Sequence, residues 1–138
     1  MKSYMDYKMY QAIMAENGYE ESTATKLFLK RAESFQRQKT ALLFAEAKAP
    51  GNKIYLADLK KIEELKEQAI HDAIDCAKVE KLQGFKFLDD GGGDVYMNDM
   101  MLKYQGDLSL MTDIEKCTFQ YFELLDLMQK EIKAGRYR

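Results

Sequence analysis

Apolar residues recur every three to four positions through most of the chain, the spacing that gathers side chains on one face of an α-helix. The first such run covers 4–16 and ends at Asn17-Gly18, where glycine takes the left-handed conformation that closes helices. Its Tyr4, Met5, Tyr7, Met9, Tyr10, Ile13 and Met14 occupy more than one face. A longer run covers 22–48 and stops at Pro50-Gly51-Asn52. Ala24, Phe28, Phe35, Leu42 and Ala45 keep to one stripe there, interrupted by Arg31 and Gln38 at positions where a coiled coil wants apolar side chains. The third run covers 58–83 and is closed by Gly84; Leu59, Ile62, Ala69, Ala73 and Cys76 form a ridge flanked by Ile70, Ile74 and Ala77.

The last helix opens at Thr112-Asp113-Ile114-Glu115, the form of a capping box, and ends at Gly135. Ile114, Cys117, Tyr121, Leu125, Met128 and Ile132 form its stripe, widened by Phe122, Leu124 and Leu127 to more than half the circumference. Such a helix needs neighbours on two sides, so it is either central to the bundle or shared with a second copy in a homodimer. Between Gly84 and Gly106 the period changes. Phe85 and Phe87 alternate around Lys86 as in a strand, whereas Met97, Met100, Met101 and Tyr104 recur at helical spacing. The expected reading is a short extended segment, a glycine loop through Gly91-Gly92-Gly93 and a helix over 96–105; a β-hairpin over 85–97 is the alternative.

The expected fold is therefore all-α or mostly α: an up-and-down bundle of three long helices with one or two short ones, forming a single domain over 1–138. One proline and no tryptophan disfavour a sandwich of short strands, and 46% apolar with 32% charged residues describes a chain that folds rather than a disordered tail. The opening Met1-Lys2-Ser3-Tyr4-Met5-Asp6-Tyr7-Lys8 lacks the apolar core of a signal peptide, and no window reaches a membrane span, so a cytoplasmic location is expected. Cys76 and Cys117 fit two reduced, partly buried thiols.

Candidate chemistry is sparse. Glu64, Glu67, His71 and Asp75 share a helical stripe, but the one histidine follows Glu67 by four residues and faces away from the apolar ridge. Carboxylate bundles that bind iron or manganese instead use Glu-x-x-His pairs pointing inward. Asp89-Asp90-Gly91-Gly92-Gly93-Asp94 lacks the ligand register of a calcium-binding EF-hand and the Gly-Lys-Ser/Thr of a phosphate loop. Neither stretch predicts a metal site or a cofactor. His71 and Cys76, five residues apart on one helix, point away from each other and form no dyad.

The segment Ile13-Met14-Ala15-Glu16-Asn17-Gly18-Tyr19-Glu20-Glu21-Ser22-Thr23-Ala24-Thr25-Lys26-Leu27 resembles the helix-turn-helix of bacterial regulators, with an apolar helix end, a turn glycine and a Ser-Thr helix start before a basic residue. That resemblance implies a DNA-binding regulator using 13–30, with Ser22, Thr23, Thr25 and Lys26 in the major groove and Lys30 near a phosphate. Met14, Asn17, Glu20 and Glu21 depart from the pattern, and a net charge of -2 with interleaved signs gives no whole-chain surplus for phosphate. The favoured expectation is a small non-enzymatic protein that binds a protein partner as an adaptor or inhibitor. The composition resembles that of accessory proteins of phages and mobile elements. Its expected contact surface is the Met/Tyr-rich first helix, through Tyr4, Tyr7, Tyr10 and Met14.

Overall fold

Sequence-local signals set most helix ends. In the computed structural model, which describes residues 6–48, 53–89 and 92–135, Asp6 caps the first helix by accepting the Met9 N–H at 2.9 Å. The elements in chain order are α1 (Tyr7–Asn17), α2 (Thr23–Lys48), α3 (Lys53–Gln83), α4 (Gly92–Tyr104), a 3₁₀ turn (Leu108–Leu110) and α5 (Asp113–Lys133). Gly18 ends α1 at φ 64°, and its position is doubly constrained, because a Cβ there would meet Lys81 Nζ at 3.3 Å. The capping box of α5 forms as read: Thr112 Oγ1 accepts the Glu115 N–H at 3.3 Å, and Glu115 Oε1 accepts the Thr112 N–H at 2.9 Å.

The fold is all-α, and among the described residues there is no strand. The hairpin alternative fails for an identifiable reason. Phe85 and Phe87 alternate because both rings turn onto Phe122, at centroid distances of 6.1 and 4.6 Å, from a turn rather than a ladder. Val95, the proposed opposite strand, lies inside α4. That helix begins at Gly92, earlier than the expected 96, with Asp94 in its first turn, where a carboxylate favours the dipole. The third helix likewise begins at Lys53 rather than 58, since Lys-Ile-Tyr-Leu-Ala contains no breaker.

Two helices make the frame. α2 and α3 run antiparallel, and their side-chain pairs step evenly: Lys39 meets Glu63 at 2.8 Å, Gln36 meets Lys66 at 2.7 Å three residues on, and Ser22 meets Glu80 fourteen residues beyond that on both helices. One end of this pair is a packed base. Ala24, Phe28 and Ala32 of α2 and Ala69, Ile70, Ala73, Cys76, Ala77 and Val79 of α3 are buried with Tyr10 and Met14 of α1 and Leu125 and Met128 of α5. The other end is an arm: from 35 to 48 and from 57 to 68 no side chain is fully buried. Arg31 lies at the boundary, half-buried, with its guanidinium 5.7 Å from the centre of the Phe35 ring.

A buried polar junction closes the base. Glu80 is 2% exposed, at the position four residues past Cys76 where the α3 ridge continues. Its Oε1 accepts the Ser22 hydroxyl at 2.7 Å and its Oε2 the Phe87 N–H at 2.9 Å. Ser22 in turn caps α2, its Oγ accepting the Thr25 N–H at 3.3 Å while its own N–H donates to Thr25 Oγ1 at 2.8 Å. Burial pushes the Glu80 carboxyl above its ordinary range, against the opposing pull of its two donors.

Two measurements test this account. Leu125→Ala should cost about 2–5 kcal/mol in urea unfolding, whereas Leu43→Ala on the arm should change stability by less than about 0.5 kcal/mol. The raised Glu80 carboxyl means that the folded state takes up its proton at higher pH than the unfolded chain. Its neutral form therefore adds stability as pH falls through the folded pKa, and that stability is lost as pH rises. The native chain should accordingly gain stability relative to Glu80→Gln between pH 7 and pH 5, read as the difference between their urea midpoints.

Candidate functional site

Of the described residues of the first-helix surface expected from sequence, two are interior and one is exposed. Tyr10 and Met14 are buried in the base, and the Tyr10 hydroxyl donates to Glu21 Oε2 at 3.0 Å. Tyr7 is exposed, its ring stacked on Tyr10 at 5.7 Å, and Tyr4 lies outside the described residues. A helix whose tyrosines and methionines occupy several faces must bury some of them, and α3 selects which.

The residues implied by the helix-turn-helix resemblance divide in the same way. Ser22 and Thr25 are buried with their hydroxyls engaged in the α2 cap, so neither reaches a base edge. Thr23 is exposed, but its N–H donates to Asp89 Oδ2 at 3.1 Å, which places a carboxylate at the helix N-terminus where a phosphate would need to sit. Lys26 and Lys30 are exposed in a shallow groove that also contains Glu21 and Glu33, so the local charge is mixed. Glu20, which pairs with Lys86 at 2.9 Å, adds a further carboxylate to the turn.

The other candidate clusters are dispersed. Glu64, His71 and Asp75 are exposed on α3, and among the described residues no three metal-ligating side chains lie close enough to hold an ion. Burial raises the thiol pKa of both Cys76 and Cys117, which keeps them protonated and poorly nucleophilic. Among the described residues no helix is long and apolar enough to cross a membrane.

The surface that sequence reading did not single out is on α4. On this helix Tyr96, Met97, Met100 and Tyr104 turn inward, whereas Val95, Met101 and Leu102 turn outward among the exposed Asp94, Asn98, Asp99 and Lys103. The inward residues build a second, smaller core with Leu108, Met111 and Phe119. Tyr96 stacks on Phe122 at 6.1 Å and lies 5.5 Å from Phe85, which ties this satellite to the main base. Glu115 ties it electrostatically. The carboxylate that completes the α5 capping box also accepts the Tyr104 hydroxyl at 3.0 Å and lies 3.7 Å from Lys103 Nζ, and these donors, the Thr112 N–H foremost, hold its pKa down.

What remains outside is a set of exposed apolar side chains among mostly acidic charges. Leu102 is 85% exposed, and Val95, Met101, Leu110 and Ile114 are exposed as well. Asp94, Asp99, Asp107 and Asp113 are exposed along the same stretch, and residues 92–116 contain five acids against two bases. The spacing of Val95 and Leu102, seven residues apart and hence on one helical stripe, was a legible signal for this face. No protein-family model, curated protein or solved structure matches the chain.

Proposed function

We propose that the chain acts by binding another protein, as an adaptor or inhibitor without an enzymatic step, and that it does so through the outer face of α4, the following 3₁₀ turn and the start of α5. The observation that carries this reading is Leu102, 85% exposed, with Val95 and Met101 exposed on the same helix. Several large apolar side chains exposed close together mark a contact surface, and α4 is covered on one side by the small Met100–Met111–Phe119 core. Leaving large aliphatic and methionine side chains in water forgoes about 1.5–3 kcal/mol each, which a partner recovers by covering them.

The rim states the partner's chemistry. Exposed aspartates around an apolar centre favour a protein surface with an apolar patch bordered by lysine or arginine, and they disfavour a polyanion. Tyr7 and Met9 are exposed on α1, and Tyr7 belongs to a separate region of chemistry, beside Glu21 and Lys26.

The experiment compares native chain, Leu102→Asp and Tyr7→Ala as tagged baits in lysate of the native host, with and without nuclease. A stoichiometric protein partner should survive nuclease, be retained by Tyr7→Ala, weaken with added salt and fall at least about tenfold with Leu102→Asp. The fold of that variant should stay within about 0.5 kcal/mol of native, since the side chain touches little. Equal capture by Leu102→Asp would overturn the assignment to α4. Partners that vanish on nuclease treatment would instead favour the DNA-regulator reading through Lys26 and Lys30.

A further inference from the structure

The arm formed by the ends of α2 and α3 has a groove that the described residues leave open. Gln38, Ala41 and Leu42 line one wall and Asp58, Lys61 and Ile62 the other. Apolar side chains flank it. Phe44, 67% exposed, is one turn from Ala41, and Leu65, 38% exposed, is one turn from Ile62. Two antiparallel helices bury the seam between them but leave both sides of that seam in water, and a four-helix arrangement is the ordinary way to cover them.

The charges in the groove name the occupant. Asp58 and Lys61 are exposed one turn apart on the same wall, and neither is in an ion pair with another described residue. An acid and a base so placed are their own complement. When two α3 helices are laid antiparallel about a twofold axis passing between residues 58 and 61, each aspartate meets the lysine of the other copy. A foreign partner needs no such symmetry, whereas a second copy supplies it automatically.

We infer that the arm groove is the contact of a homodimer in which two arms pack face to face with their tips pointing in opposite directions. The contact covers Leu42, Phe44, Ile62 and Leu65 and forms two symmetry-related pairs between Asp58 and Lys61. The arm is about 20 Å long and two helices, about 20 Å, wide, so it offers roughly 400 Å² of footprint per copy. Both copies together bury roughly 800 Å², below the roughly 1,200 Å² total of long-lived interfaces, and the dimer is therefore weak and reversible. It lies apart from the α4 surface and does not depend on the function proposed for it.

Sedimentation velocity on the full chain, from about 5 to about 500 µM, tests the contact. The weight-average mass should rise from 16.0 kDa toward twice that value. Asp58→Lys alone and Lys61→Asp alone should each weaken association about tenfold or more, because each sets like charges against each other twice. An equimolar mixture of the two variants should associate at least as tightly as the native chain, since one copy then presents two lysines to two aspartates. Circular dichroism should be unchanged throughout. A mass that stays at 16.0 kDa at every concentration overturns the proposal, and so does a dimer indifferent to both substitutions, which would place the contact elsewhere.

Discussion

The buried Glu80 carboxylate is the constraint on which the rest of the base depends. Taking a carboxylate out of water costs several kilocalories per mole unless its oxygens are matched by donors. Here one oxygen takes the Ser22 hydroxyl and the other the Phe87 N–H, so the start of α2, distant in sequence, is fixed relative to the end of α3 and the turn after it. A hydrophobic residue of similar size would fill the space but leave a buried hydroxyl and a buried amide without acceptors. The carboxylate therefore specifies an arrangement that apolar packing alone would leave open to sliding.

What the junction fixes is the direction of the turn, and through it the aromatic contacts that seat the last two helices. With Phe87 held by its own N–H, its ring meets Phe122 at 4.6 Å and Tyr121 at 6.3 Å, and Tyr121 reaches Phe28 at 5.8 Å edge-on. Phe85 carries the same chain of rings to Tyr96 on α4. Edge-to-face and offset pairs of this kind contribute about 0.5–1.5 kcal/mol each beyond the area they bury, and they are directional. The outward face of α4 is thus positioned by a carboxylate that lies well away from it, and the alanines of α3, which let neighbouring helices approach closely, supply the space.

Local chemistry was legible and long-range choice was not. Thr112 and Glu115 signalled a cap because both partners lie within one turn, and Gly84 signalled an end because positive φ is an intrinsic demand on one residue. Ser22 and Thr25 also signalled a helix start, but a cap in a DNA-reading motif and a cap in a protein core look alike locally. The residue that separates the two, Glu80, is 58 positions away. The same limit applies to α1, where apolar side chains on several faces predict a helix without saying which face docks. It applies to Phe85 and Phe87, whose alternation arises from a turn satisfied by a side-chain carboxylate. On α4 the helical spacing of Met97, Met100 and Tyr104 was read, yet the exposure of Leu102 depends on which face of α4 packs onto Met111 and Phe119.

The two open apolar surfaces differ in a way that separates their occupants. Around α4 the exposed charge is mostly of one sign, so a second copy brought against the same face would set aspartate against aspartate, and a self-contact there is opposed by its own rim. In the arm groove the two signs are balanced and spaced by one turn, so the surface tolerates a copy of itself but has no net field to draw a charged stranger. α5, whose broad stripe suggested a shared helix, turns Phe119, Leu125 and Met128 into its own chain and leaves Ile114 and Leu127 outside. Among the described residues it packs on the base through Leu125 and Met128 and on the α4 satellite through Phe119. On the two proposals made above, self-association uses the arm and foreign recognition uses α4, and because the two surfaces are separate, a dimer formed through the arms would present both α4 faces for binding at once.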